Sequence, residues 1–107
     1  AEVSEKVHAL GGLYIAAHID RPNYSVVSGL GSVPEGVFDA VEISRTADAA
    51  NWIEAAKSLP MIRSSDAHNL DDVARVWTEA DGEFSIAGLR RIFRESKCSV
   101  SPKITSF

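Results

Sequence analysis

The sequence predicts a single α/β domain built around a mostly parallel sheet. The compact apolar run at residues 13–17 and the segment 38–43, which has several apolar residues for the core, are typical of strands, and segments with helical spacing of apolar residues alternate with them. Such alternation favours βα units, in which the strands run parallel and are covered by helices. At 107 residues the chain suffices for one core but not for two, so we expect residues 1–107 to form one domain.

The first elements of this pattern are a short amphipathic helix and a buried strand. Apolar residues recur at helical spacing between Val3 and Leu10, and Gly11-Gly12 then ends the helix. The run 13–17 has no polar alternation, which is typical of a parallel strand buried on both faces. His18 stands at the C-terminal end of this strand.

In the middle of the chain the sequence predicts a second strand with one helix before it and one after it. Ser25 can cap a short helix, and residues 38–43 form the strand, with Glu42 near its end. Thr46 can cap a longer helix, because an apolar stripe continues from there to Leu59. Trp52 belongs to that stripe and is expected in the core.

The remaining elements are two strands, a helix and a tail. Residues 61–64 predict a third strand, and residues 74–78 a fourth, in which Trp77 is expected to face the core. Ser85 begins an amphipathic helix. The tail from Cys98 onward is expected to be a short strand followed by a loose end.

Charge and composition exclude several classes of function. The 11 basic and 15 acidic residues give a net charge of −4, which disfavours general nucleic-acid binding. No apolar run approaches the ~20 residues of a membrane helix, and no signal-peptide pattern precedes the first helix. Cys98 is the only cysteine and has no partner for a disulfide, so a reducing, cytoplasmic location is expected. Because the chain starts with Ala1, we expect it to be a piece of something longer.

His18, Asp66 and His68 are the residues most able to carry chemistry. Each follows a predicted strand, and in parallel sheets functional residues gather at the C-terminal ends of strands. Asp66 and His68 are two residues apart, so in an extended segment both side chains point to the same side. Carboxylate and imidazole together suit Zn, Mn or Fe. The alternatives are a polar turn at 65–68 and a surface or core role for His18.

Three short motifs then follow one another along the chain. They are Ala17-His18 with Arg21-Pro22, Phe38-Asp39-Ala40-Val41-Glu42, and Ser64-Ser65-Asp66-Ala67-His68. From about Val7 to about Glu95 the chain resembles PHP-domain (polymerase and histidinol phosphatase) proteins. Members of that family fold as a distorted β/α barrel, hold a cluster of divalent metals and hydrolyse phosphate esters. The resemblance implies that residues 1–107 are the C-terminal portion of such a barrel, with the N-terminal, motif-bearing half absent.

The resemblance also implies roles for individual residues. His18, Asp66 and His68 would be ligands of Zn, Mn or Fe in a multinuclear cluster, and no catalytic residue beyond these ligands is implied. Arg21 would hold the substrate phosphate, since its planar donor fork matches phosphate oxygens; the alternative is a solvated loop arginine. Glu42 could orient a histidine ligand as an outer partner, or simply bond to neighbouring backbone.

The pattern also departs from the family. PHP proteins begin with a His-x-His pair, and nothing of that kind precedes His18. Three ligands of a larger set would leave a weak or empty metal site, so we expect the isolated chain to be inactive as a phosphoesterase. The expected partners are a small phosphorylated substrate or nucleotide, the N-terminal half of the same domain, and a second copy joined through exposed sheet edges.

The sequence is also compatible with three other roles of the chain. The chain could be a non-catalytic PHP-like module with an interaction or regulatory role. It could be a self-contained domain that binds one metal ion, or an α/β domain with a purely structural role. His8 is expected to be structural, and Arg90, Arg91 and Arg94 are expected to form a solvated helix face.

Overall fold

The computed structural model describes residues 1–101 as three α-helices, two 3-10 helices and two small sheets. The α-helices are α1 (Glu2–Ala9), α2 (Val26–Leu30) and α3 (Ile86–Arg94), and two 3-10 helices span Ala49–Trp52 and Leu70–Asp72. The strands are β1 (Ile15–Ala16), β2 (Ala40–Ile43), β3 (Met61–Arg63), β4 (Trp77–Ala80) and β5 (Cys98–Ser101).

The larger sheet is parallel and has β2 in its middle. Its order is β1-β2-β3, with Ile15 opposite Ala40 on one side and Val41 opposite Met61 on the other. Three of the four β2 residues are fully buried, namely Ala40, Val41 and Ile43. Burial on both faces is typical of a central parallel strand, and within β2 only Glu42 is partly exposed. The predicted α/β class with a parallel sheet is therefore confirmed.

The smaller sheet is an antiparallel pair of β4 and β5 that lies against β3. Trp77 is opposite Ser101, and Ala80 is opposite Cys98. The Thr78 hydroxyl joins the two sheets, because it accepts a hydrogen bond from the Arg63 amide and donates one to the Arg63 carbonyl, both at 2.7 Å. Residues 1–101 do not form a closed barrel.

The long helix predicted from Thr46 to Leu59 is wrong. A 3-10 helix starts instead at Ala49, where the Asp48 side chain accepts a hydrogen bond from the Ala50 amide at 3.1 Å. Ala47 lies in the first turn of the predicted α-helix, and its carbonyl accepts a hydrogen bond from the buried Arg63 guanidinium. Residues 53–58, which the prediction placed in the α-helix, form hydrogen-bonded turns instead.

Several apolar residues of this segment are nevertheless buried, as their spacing predicts. Trp52 and Leu59 are partly buried against the main core, and Ala56 is buried within it. The hydrogen bond from the Ala56 amide to the Trp52 carbonyl, at 2.9 Å, preserves one helical turn. Ile53, another residue of the predicted stripe, is 63% exposed, so the burial prediction holds for only part of the stripe and the predicted helix length is wrong.

The fourth strand is displaced toward the C-terminus of the chain, and Trp77 does not lie in the core. Residues 77–80, and not 74–78, pair with β5. Trp77 is 46% exposed, because it begins a two-stranded ribbon that has an open face. Its indole donates only a long 3.4 Å hydrogen bond to Glu79. The loose end expected at the tail falls mainly in residues 102–107, outside the described residues.

Two predicted helix starts are confirmed. The Ser25 hydroxyl accepts from the Ser28 amide at 3.1 Å, and the Ser85 hydroxyl accepts from the Gly88 amide at 2.9 Å. Each side chain thereby satisfies one amide that the helix leaves without a partner. Among residues 1–101, every helix is too short or too polar to cross a membrane.

We predict that Gly88→Ala lowers the free energy of unfolding by about 1–3 kcal/mol. A Cβ at this position would lie only 1.9 Å from the Glu83 carbonyl oxygen, so the start of α3 would have to shift. Urea denaturation measures the change. Gly29→Ala in α2 is the matched control, because nothing lies within 4 Å of its added Cβ. Equal effects of the two substitutions would contradict the close packing at Gly88.

We also predict that the Cys98 thiol ionises at higher pH in the folded chain than in urea. Burial raises the pKa of Cys98, because the thiolate loses hydration in its half-buried position on β5. The resulting stability is present below the unfolded-state pKa of about 8.5 and is lost as pH rises through the folded-state pKa. The pH dependence of iodoacetamide alkylation, with and without urea, measures both values. Coincident curves would contradict the prediction.

Candidate functional site

The predicted site residues lie at one edge of the parallel sheet. His18 follows β1, and Asp66 and His68 follow β3. Glu42 is the third of the four residues of β2. Since the three strands are parallel, their C-terminal ends meet at the same edge. We call this the carboxyl edge.

His18 adopts a strained backbone conformation at the carboxyl edge. Its φ of 26° is uncommon for a residue other than glycine. The His18 amide donates a 3.1 Å hydrogen bond to Glu42 Oε1, which holds the strand end in place. The ring atom Nδ1 is buried and has no hydrogen-bond partner within residues 1–101. A buried polar atom without a partner costs roughly 1–3 kcal/mol, so this nitrogen is suited to a ligand from outside the described chain.

Asp66 and His68 form a compact polar loop after β3. Asp66 has a φ of 48°, again in the left-handed region. His68 Nδ1 lies 2.8 Å from the Asp66 carbonyl oxygen. Because a carbonyl only accepts hydrogen bonds, Nδ1 carries the proton, and Nε2 of the neutral ring keeps its lone pair. Metal-binding histidines commonly show this arrangement of one nitrogen bonded to a carbonyl and the other available.

Asp72 and Arg45 hold this loop against the end of β2. Asp72 Oδ2 accepts a 3.2 Å hydrogen bond from the His68 amide, and Asp72 Oδ1 lies 2.8 Å from Arg45 Nη1. The hydrogen bond from Arg45, supported by that from the His68 amide, lowers the pKa of Asp72. Sequence reasoning missed both residues, since nothing in the pattern pairs position 45 with position 72.

Arg21 lies between the loops that follow β1 and β3. Its amide donates to the His18 carbonyl at 2.9 Å, and its Nη2 lies 3.7 Å from Asp66 Oδ2. Both side chains are about half exposed, 49% for Arg21 and 59% for Asp66. The structure therefore brings the predicted phosphate-binding arginine beside one predicted metal ligand, in a place open to solvent.

Glu42 connects the ends of the outer strands. Its Oε1 accepts from the His18 amide, and its Oε2 accepts from the Ser64 hydroxyl at 3.0 Å. Glu42 thus contacts the backbone of His18 and not its imidazole ring. Of the two interpretations open for this residue, the described contacts match bonding to neighbouring backbone, with the addition of Ser64.

Asp20 supplies a second connection that sequence reasoning missed. Its Oδ1 accepts a 2.7 Å hydrogen bond from the Ser44 amide, and its Oδ2 accepts one from the Ser44 hydroxyl. The buried Arg63 lies in the field of Asp20 and Asp48, which partly offsets the lowering of the Arg63 pKa by burial. The loop after β1 is therefore tied to the end of β2 through Asp20.

The described residues do not amount to a complete metal site. Within residues 1–101, no group of three or more His, Cys, Asp or Glu side chains is arranged to hold an ion. His18, Asp66 and His68 share the carboxyl edge and have suitable donor atoms, but they do not converge on one point. Their chemistry fits a divalent metal, whereas their number and arrangement require further ligands.

Comparison with known proteins gives a family for the second half of the chain. Residues 48–98 match the family described as PHP-associated. The matched segment makes up just under half of the chain. The match confirms the resemblance to PHP proteins and includes Asp66 and His68, while His18, Arg21 and Glu42 precede the matched segment.

A relative and a search of structures complete the comparison. The chain is 34% identical over 85 residues to a protein of Bacillus subtilis (strain 168) described as uncharacterized protein YqxK. The alignment covers 72% of this chain and 22% of YqxK, so the chain spans about a fifth of that relative. No solved structure matches the chain significantly.

We predict that Glu42→Ala lowers the free energy of unfolding by about 1–3 kcal/mol, because it leaves the His18 amide and the Ser64 hydroxyl without their acceptor. Urea denaturation measures the loss, and the amide shift of His18 in a ¹H–¹⁵N NMR spectrum reports the broken contact. Glu79→Ala is the matched control, since Glu79 is an exposed strand glutamate on β4. An unchanged His18 amide shift in Glu42→Ala would contradict the bridging role.

Proposed function

We propose that this PHP-associated chain forms part of a metal-dependent phosphoesterase, a phosphatase or phosphodiesterase. His18, Asp66 and His68 are the proposed metal ligands, and Arg21 the proposed phosphate-binding residue. In this proposal the three-stranded parallel sheet is a section of a distorted β/α barrel that other parts of a longer protein complete.

The observation that carries the proposal is the meeting of two loops at the carboxyl edge. Arg21 donates its amide to the His18 carbonyl and places its guanidinium 3.7 Å from the Asp66 carboxylate. An imidazole-bearing loop, a carboxylate-bearing loop and an arginine are therefore neighbours at the edge where parallel α/β proteins bind their ligands.

The two histidines support this proposal through their ring nitrogens. His68 keeps the lone pair of Nε2 because Nδ1 bonds to the Asp66 carbonyl. His18 Nδ1 is buried without a described partner, and a ligand bond would remove that cost. Both rings thus offer a nitrogen donor of the type that Zn, Mn and Fe bind.

Arg21 and Asp66 suggest how substrate would be held. The contact between them is long and solvent-exposed, so it contributes little stability and can open. Arg21 would then place its donor fork on phosphate oxygens, while Asp66 serves as a ligand. Divalent ions, when bound, supply an activated water and positive charge for the phosphoryl oxygens.

In this proposal the chain supplies only some of the ligands of a larger metal centre. Its three candidate ligands do not form a metal-holding group within residues 1–101. The remaining ligands would come from the rest of the parent protein, which is consistent with a relative about five times longer than the aligned region. The isolated chain is accordingly proposed to be inactive.

The test is metal content and hydrolysis in the intact parent protein, compared with the isolated chain. Plasma mass spectrometry measures bound metal, and p-nitrophenyl phosphate with its diester analogue measures activity. We expect metal and activity in the parent, and a loss of at least about 100-fold in activity for the double variant Asp66→Ala/His68→Ala. Asp71→Ala is the matched control, because Asp71 is an exposed acid just beyond the same loop.

Other outcomes would replace the proposal by a specific alternative. A folded parent with neither metal nor hydrolysis would favour a non-catalytic interaction or regulatory module. Stoichiometric metal in the isolated chain would favour a self-contained metal-binding domain. Equal losses in the double variant and in Asp71→Ala would remove the assignment of Asp66 and His68.

A further inference from the structure

A concave site lies at the edge of the parallel sheet opposite to the carboxyl edge. Leu13 precedes β1, Asp39 precedes β2 and Pro60 precedes β3, so all three mark the N-terminal ends of the strands. They line a cavity of about 690 Å³, within the size range of small-molecule sites. Its lining includes His8, Leu13, Phe38, Asp39, Arg90 and Arg94.

Two arginines give this cavity a positive wall. Arg90 and Arg94 are four residues apart on α3, so they share one face of the helix. Arg90 donates one hydrogen bond to the Gly11 carbonyl at 2.8 Å, which leaves most of its five donors available. Neither arginine forms a salt bridge with a residue in the range 1–101. The expected solvated face of α3 therefore also lines a cavity, where the Gly11 carbonyl holds the Arg90 guanidinium.

Among residues 1–101, Asp39 supplies the single carboxylate of the cavity wall, and one of its oxygens is already engaged. Asp39 Oδ2 accepts from the Tyr14 amide at 2.7 Å and lies 2.7 Å from His8 Nε2. His8 is in turn 3.4 Å from the Ser4 hydroxyl, which donates to the Val37 carbonyl. His8 is thus structural, as expected from the sequence, and Asp39 is oriented toward α1. The two guanidinium groups remain the charges available to a ligand.

The rest of the wall is largely apolar. Leu13, Phe38 and Phe93 line the cavity, and the Phe38 ring stacks on Tyr14 with centroids 4.8 Å apart. Phe93 is also part of the second core cluster, so this part of the wall is fixed by packing. A ligand that fills the cavity must pair an anionic group with a compact apolar group.

We propose that this cavity binds a small organic anion, in which a phosphate or carboxylate contacts Arg90 and Arg94 and an aromatic or apolar group packs on Leu13 and Phe38. Phosphate and carboxylate groups both present two oxygens that can accept parallel hydrogen bonds from a guanidinium group. The cavity lies at the edge opposite to His18 and Asp66, so this inference does not depend on the proposed phosphoesterase activity.

The test is isothermal titration calorimetry on the intact protein in the presence of a metal chelator. Phenyl phosphate, benzoate and inorganic phosphate are the probes, so that the anion and the ring are varied separately. We expect phenyl phosphate or benzoate to bind at least about tenfold more tightly than inorganic phosphate. The tighter of the two aromatic anions identifies the phosphate or the carboxylate as the preferred group.

Variants on one helix locate the binding. Arg94→Gln is expected to weaken binding of the preferred probe about tenfold, whereas Arg91→Gln, an exposed arginine of α3 outside the cavity lining, leaves it within about twofold. Arg21→Gln at the carboxyl edge is also expected to leave it unchanged. Thermal unfolding of each variant verifies that it is folded.

Three results would overturn the inference. The first is no measurable binding of either aromatic anion to folded protein. The second is an equal loss of affinity in Arg94→Gln and Arg91→Gln, which would indicate general charge attraction. The third is a loss confined to Arg21→Gln, which would place the binding at the carboxyl edge.

Discussion

The parallel pairing of β2 with a strand on each side is the constraint on which the other features depend. Ala40, Val41 and Ile43 are fully buried, so the register of this strand is fixed by packing on both faces. Once β2 is fixed, the loops after all three strands must meet at one edge and the segments before them at the other. The sheet thereby has two chemically different ends.

Polar side chains stabilise the carboxyl edge where the apolar core stops. Glu42 connects the backbone of His18 to the Ser64 hydroxyl, and Asp20 connects the first loop to Ser44. Asp72 secures the third loop through the His68 amide. These bonds hold His18 and Asp66 in left-handed conformations, which Tyr24, Lys57, Ala74 and Ser96 also adopt, so backbone strain does not by itself distinguish the carboxyl edge.

Local patterns predicted the parts of the fold that local physics controls. The serine caps at positions 25 and 85 were found because a capping hydroxyl acts within three residues. The helix after Thr46 was not, because the Ala47 carbonyl bonds to Arg63, a residue sixteen positions away. Trp77 was misplaced for a similar reason, since its exposure depends on how many strands flank β4.

The sequence by itself determined the α/β class, the strand ends that carry His18 and Asp66, and the resemblance to PHP proteins. These follow from apolar periodicity and from short motifs, which are local properties of the chain. Only the tertiary structure decided that Arg21 lies beside Asp66, that Arg45 and Asp72 hold the His68 loop, and that α3 places Arg90 at a cavity. Each of these contacts joins residues far apart in sequence, and their pairing depends on the packing of the whole sheet and not on any local pattern.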